Sequence, residues 1–295
     1  MAQAHAPNAD HYYLPHSSPW PIYGSVTLFT LMAGAVATLN SWLPAWSLVP
    51  GFLLLASLFM FWFSTVIKES EGGMYNMAVD RSFRLGMMWF IFSEVMFFAA
   101  FFGALFYARS LVMPWLSGDG TKMLTNILLW SNYHGGWPTN GPAALGPRAN
   151  GTYQTIPALG LPALNTAILL SSGVTITIAH HALIKGYRRR LMIFLAATFL
   201  LGFTFVALQA TEYHEAYTRL GLQLGTGIYG STFFMLTGFH GLHVTVGAIM
   251  LVVIWLRVLK GHFTPQRHFA FEAVSWYWHF VDVVWLGLFI FVYWL

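Results

Sequence analysis

The stretch LGMMWFIFSEVMFFAAFFGALFYA, residues 85–108, decides how this chain is read. It lies between Arg84 and Arg109 and holds a single charge-capable acid, Glu94, near its middle. At 1.5 Å per residue such a run is long enough to cross the hydrocarbon core of a bilayer. A carboxyl group halfway along it is expensive to ionise against lipid tails, so it must face protein, water or a polar partner.

The rest of the composition agrees. The 295 residues are 57% hydrophobic and 18% aromatic, with only 8% charged, where a soluble domain carries about 25% charged residues. The sequence predicts an all-α, polytopic membrane protein with seven transmembrane helices. The net charge of +4 is small and the basic residues cluster at the ends of apolar runs. They read as topology signals and not as a nucleic-acid footprint. The absence of cysteine excludes disulfides, iron–sulfur ligation and thiolate-held metals within this chain. The first twenty residues contain His5, His11 and His16 but no Lys or Arg, so no cleaved targeting segment is expected there.

The predicted spans are residues 22–39, 52–67, 85–108, 162–182, 191–211, 228–256 and 269–295. They organise the chain into a polar tail (1–21), a two-helix segment (22–67), a connector (68–84) and a five-helix bundle (85–295). The bundle carries a long loop, 109–161, rich in Gly, Pro, Asn and Trp. A loop of that length is usually functional or a contact surface. Alternate connectors share a side. One side holds Lys68, Arg81, Arg84, Lys185, Arg188, Arg189, Arg190, Arg257, Lys260 and Arg267, ten of the fourteen basic residues. The positive-inside rule therefore places the N-terminus inside and the C-terminus outside. No sustained internal repeat of the kind seen in inverted-repeat transporters is present.

Several polar residues fall at one depth, mid-membrane. Glu94 lies ten residues beyond Arg84, roughly 15 Å into its span. His243 precedes Arg257 by fourteen residues, and His279 and Asp282 follow His268 by eleven and fourteen. His240 and His243, in TGFHGLHV (237–244), share a helix face, as do His279 and Asp282. Three readings of this group stand side by side. Imidazoles can ligate a metal or haem, although the pairs lack the multi-box pattern of a membrane di-iron enzyme. Titratable groups can relay protons, although only a mid-membrane cluster is visible. A hydrogen-bonded network, with Glu–His or Asp–His bonds across helices, can simply fix helix packing. No nucleophile motif or phosphate loop appears. The basic residues have two readings as well, topology with headgroup snorkelling, or an anionic-lipid site built from Arg257, Lys260 and His268 beside an aromatic group such as Trp62.

Five segments together carry a resemblance. They are SEVMFF (93–98), LNTAILLSSGVTITIAHHAL (164–183), LQATEYHEA (208–216), YGSTFFMLTGFHGLHV (229–244) and HFAFEAVSWYWHFVDVVWL (268–286). In this order they resemble subunit III of cytochrome c oxidase, of the haem–copper oxidase family, and the likeness covers nearly the whole chain.

The resemblance implies a seven-helix subunit that carries no catalytic centre, haem or copper of its own. It implies helices 1–2 split from 3–7 by a lipid-filled cleft holding bound phospholipids. It also implies packing on subunit I, which holds haem and copper, within an assembly that includes subunit II. That assembly takes electrons from cytochrome c and reduces oxygen to water. The family's role for this subunit is to support lasting proton uptake and turnover, here in an aa3-type enzyme. Glu94 matches the family's intramembrane glutamate, and His243 matches the second histidine of FHGLH. Trp62, Arg257 and His268 sit at or near positions resembling lipid contacts, although FWFSTVIKES departs from the family pattern around Trp62. The insertion around 122–153 implies a bacterial protein of the inner membrane. Two alternatives remain at this point. One is subunit III of a quinol oxidase, a form that lacks the first two spans found here. The other is a stand-alone proton-conducting protein built on Glu94.

Overall fold

A computed structural model describes residues 12–15, 17–148 and 151–294. The tail residues 1–11, with His5 and His11, and also His16 and Leu295, lie outside the described residues. The described chain is helical, without strands, and seven helical segments are long and apolar enough to cross a membrane. They are Trp20–Leu39, Ala45–Glu71, Met77–Leu116, Leu161–Ile184, Arg188–Leu220, Gly227–Lys260 and Phe269–Trp294. Their main helices are α1 (Trp20–Leu39), α2 (Val49–Glu71), α3 (Met77–Tyr107), α6 (Leu161–Ile184), α7 (Arg188–Glu215), α8 (Gly227–Lys260) and α9 (Phe269–Leu288). Two short helices, α4 (Met113–Leu116) and α5 (Met123–Leu129), lie between α3 and α6.

Local chemistry sets where several helices begin. Pro21, Pro50 and Pro162 occupy the first turns of α1, α2 and α6, where a missing N–H leaves no intrahelical bond unmade. Arg257 and Lys260 close α8 at the negative end of its dipole.

The helices overrun the apolar windows that define them in the sequence. The third span extends over 40 residues, about 60 Å of helix and about twice the hydrocarbon thickness. Residues 77–84 therefore belong to α3 and not to a connector, and residues 109–116 continue that segment through a π-helical turn at Ala108–Val112. Helical backbone bonds remain favourable in headgroups and water, so the first charged residue marks the edge of the lipid and not the end of the helix. For the same reason the fifth span runs to Leu220 and buries Glu212, which lies beyond the apolar window 191–211.

Two compact units make up the chain, Met1–Leu85 and Gly86–Leu295, with the division inside α3. In the first, α1 and α2 pack side by side. Tyr23 and Ser57 share a hydroxyl bond of 2.6 Å, and Thr38 and Ser47 one of 2.8 Å. At one end of this unit Glu69 accepts from Tyr75 at 2.7 Å and from Tyr13 at 3.2 Å.

The second unit is a bundle of α3 and α6–α9 whose core is centred on α9. Trp278 of α9 is fully buried. A Cβ at Gly202 of α7 would come within 2.6 Å of its ring, and one at Gly247 of α8 within 2.9 Å. Both helices can approach the indole only because these two positions lack side chains, the small-residue packing that replaces a hydrophobic driving force between helices in lipid. The Trp278 Nε1–H donates to Ser172 Oγ of α6 at 2.9 Å, and Trp285 Nε1–H donates to Thr166 Oγ1 at 2.9 Å. The long connection folds over one end of this bundle. Gln154 N–H donates to Leu220 O at 2.9 Å, Arg148 donates to the Arg219 carbonyl, and Tyr153 stacks on Tyr229. Burial pushes the Tyr153 hydroxyl pKa up to about 12.

Candidate functional site

Glu94 lies on α3 and His243 on α8, and the two meet. His243 Nε2 is 2.8 Å from Glu94 Oε2, with side-chain exposures of 14% and 21%. His243 Nδ1 lies 2.6 Å from the Phe239 carbonyl one turn back. A carbonyl only accepts, so Nδ1 carries a hydrogen and Nε2 of a neutral ring would present a lone pair to Glu94. A contact of 2.8 Å between Nε2 and a carboxylate oxygen therefore requires one further proton, on the imidazole or on the carboxyl. Phe97, Phe98, Tyr277 and Phe280 ring the imidazole, with centroids 5.0–6.4 Å from it.

His240 takes a different direction. Its side chain is 1% exposed, and Nε2 lies 3.2 Å from the Val281 carbonyl of α9. Phe205 and Trp285 pack against it at 5.6 and 5.1 Å. Sequence spacing put His240 and His243 on one face, but α3 and α9 flank α8 differently, so each ring meets its own neighbour. His279 and Asp282 form a third group. His279 Nδ1 is 3.7 Å from Asp282 Oδ2, and Nε2 is 3.4 Å from Thr177 Oγ1 on α6. Asp282 is buried while the His279 side chain is 43% exposed. The polar residues expected at mid-membrane therefore form three separate groups.

Among the basic residues, Arg257 covers the ring of Phe263 at 4.6 Å, and Lys260 is exposed on the last turn of α8. Trp62 lies in the first unit, half exposed on α2. His268 is committed to protein partners. Its Nδ1 lies 3.2 Å from the Thr264 carbonyl and its Nε2 3.3 Å from Glu272 Oε1. His180 of α6 approaches the same carboxylate at 3.8 Å. Ligand atoms of His180, His268 and Glu272 all lie within 4.8 Å of one another. Two imidazoles and a carboxylate are a donor set suited to a first-row divalent cation.

Two features escaped the sequence reading. The His180–His268–Glu272 group joins residues from two distant helices, so no local spacing reveals it. Glu212 stood just beyond the predicted span 191–211 and was not singled out. It is 2% exposed, accepting from Tyr293 at 2.6 Å and from Gln209 at 3.1 Å.

Fold and site together define a seven-span helical membrane protein whose polar residues are paired inside its bundle. The family model described as cytochrome c oxidase subunit III matches residues 10–118 and 122–295. The chain belongs to the cytochrome c oxidase subunit III family. Among curated relatives it is similar to "Cytochrome c oxidase subunit 3" of Coturnix japonica, 40% identical over 290 residues and covering 98% of each chain. It is also similar to the proteins of the same name from Dugong dugon and Tetraodon nigroviridis. Each is 40% identical, over 283 and 296 residues. The Dugong dugon match covers 96% of each chain, and the Tetraodon nigroviridis match 99% of this chain and 98% of the relative. Family membership makes it a subunit of a respiratory oxidase complex, in company with other oxidase subunits.

Proposed function

We propose that this chain is the accessory, non-catalytic subunit of an aa3-type cytochrome c oxidase in a bacterial inner membrane. In this reading haem and copper lie in the partner subunits. Electrons from cytochrome c reach oxygen through subunits I and II, and this chain adds no redox group. It packs on subunit I, retains phospholipid, and sustains proton uptake while oxygen is reduced to water.

The observation that carries this reading is the 2.8 Å contact between Glu94 and His243 inside the bundle. Among the described residues the side-chain polar contacts of this pair are with each other and with the Phe239 carbonyl, and aromatic rings close around them. Such a pair exchanges a proton locally, which suits support of uptake in a neighbour better than conduction across the membrane.

Two further features support it. The imidazole of His279 is 43% exposed beside Thr177, and Val283 on the same helix is exposed as well. A titratable ring is poorly accommodated by lipid tails, so this face of α6 and α9 suits a polar partner helix of another oxidase subunit. Arg257 and Lys260, at the basic end of α8, suit phospholipid headgroups, and Trp62, half exposed on α2, separately suits an aromatic contact with lipid. That charge distribution also supports an N-terminus inside and a C-terminus outside.

The experiment compares the assembled oxidase with a preparation from which this chain has been removed, following oxygen consumption and proton uptake over many turnovers. Early oxygen reduction should persist without the chain while proton uptake slows and activity decays. Undiminished long-term turnover and uptake would overturn the proposal.

A further inference from the structure

Glu212 sits on α7, outside the groups described so far, and is the most completely buried acid among the described residues. Its Oε1 accepts twice, from Tyr293 O–H at 2.6 Å and from Gln209 Nε2–H at 3.1 Å. Its Oε2 is buried and has no hydrogen-bond partner among the described residues. Gln209, one turn earlier on the same helix, is 5% exposed and shows the complementary fault, since its Oε1 is buried and also unpartnered.

These two orphans belong to the same pair of side chains. If the carboxyl were ionised, both oxygens would be acceptors facing a shortage of donors. The ion would also be buried without a counter-charge. The titratable groups that act on it are Tyr293 of α9, Tyr213 and Glu215 of its own helix, and Tyr229 of α8, none of them cationic. Tyr213 is itself bonded to Thr237 at 2.6 Å. An unpaired buried carboxylate is among the costliest groups a protein can hold.

One proton resolves both faults. Placed on Glu212 Oε2, it would be a donor for Gln209 Oε1, while Gln209 Nε2–H already donates to Glu212 Oε1. The two bonds would close an acid–amide ring beside the Tyr293 hydroxyl. Gln209 and Glu212 stand three residues apart on one helix face, the spacing at which such side chains meet.

We infer that Glu212 is a resident proton-binding site, a neutral carboxylic acid locked to Gln209 in a cyclic acid–amide pair. It is distinct from the Glu94–His243 pair, because its proton has a dedicated acceptor and no imidazole to move to. Removing that proton means opening the ring, so Glu212 stays neutral through turnover.

Infrared absorption of the assembled oxidase, taken as native-minus-variant differences, tests this. At neutral pH, Glu212→Gln should abolish one carbonyl band of a protonated carboxyl that shifts on exchange into D2O, with no loss of carboxylate bands. Gln209→Leu should keep that band and move it to higher frequency. If Glu212→Gln does not assemble, Gln209→Leu and Tyr293→Phe must each shift the same band in the otherwise native protein. Loss of carboxylate bands in Glu212→Gln would overturn the assignment. So would carboxyl bands left unmoved by the Gln209 and Tyr293 variants, or a carboxylate signal at Glu212 that depends on added sodium or potassium.

Discussion

Glu94 of α3 and His243 of α8 are joined by a 2.8 Å contact, and the second ring nitrogen of His243 is held by the Phe239 carbonyl at 2.6 Å. The arrangement places Nδ1–H on the Phe239 carbonyl and turns Nε2 towards the Glu94 carboxyl group. It also ties α3, the helix that spans both compact units, to α8 of the bundle.

Glu94→Gln keeps a hydrogen bond to His243 Nε2 through its amide N–H but loses the charge-assisted part and the exchangeable proton. A loss of about 1–2 kcal/mol in bundle stability is expected. The variant should assemble and begin reducing oxygen at a rate close to native, as read with an oxygen electrode on the purified complex. An assembled variant with no oxygen reduction from the first turnover would contradict the accessory role.

Gly247→Leu tests the packing of α8 on Trp278. A Cβ alone would lie 2.9 Å from the indole, and the remaining side-chain atoms would force the helices apart. Overpacking of this kind costs about 1–3 kcal/mol. The thermal midpoint of the detergent-solubilised complex should fall, with this subunit released first. A midpoint equal to native would show that α8 and α9 are not in the close contact described.

Tyr153 gives a pH dependence. Its folded pKa is raised from 10.0 to about 12 by burial, so folding favours the protonated hydroxyl. That contribution is complete below pH 10 and is lost as pH rises towards 12. Allowing for partial solvent exposure, it amounts to about 1–2 kcal/mol. Denaturation followed between pH 9 and 12 should show a shallower alkaline loss in Tyr153→Phe than in the native protein. Equal slopes would contradict a buried, neutral hydroxyl.

Arg257→Ala removes a guanidinium from the end of α8 together with its contact on Phe263 at 4.6 Å. The cation–π contact itself is worth about 0.5–1 kcal/mol, and the charge should matter more for lipid retention. Mass spectrometry of lipids extracted from the purified complex should find less anionic phospholipid. An unchanged lipid complement would exclude Arg257 as a headgroup ligand.

Much of this structure is legible in the sequence, for identifiable reasons. Lipid offers no partner for backbone groups, so long apolar runs have to be helices, and the seven spans could be placed by composition alone. Glu94 could be singled out because one acid in twenty-four apolar residues has no bland place to go. Its pairing with His243 was reachable by comparing depths along two spans. The limits have physical causes too. Helix ends are set by backbone hydrogen bonding and not by lipid thickness, which is how residues 77–84 read as a connector and the fifth span as ending at residue 211. Helix rotation is set by neighbours, so the shared face of His240 and His243 gave no warning that the two rings serve different helices. The meeting of His180 with His268 and Glu272 depends on how α6 packs on α9, and no local spacing encodes it.

The central claim, that this chain serves a redox assembly without holding its redox groups, is tested most directly by one purification. The native complex is captured through a tag on this chain and its visible spectrum recorded. The chain is then released by detergent and both fractions are measured again. The account predicts that haem bands accompany capture and remain entirely with the partner subunits after release. A haem band that stays with the released chain would contradict it.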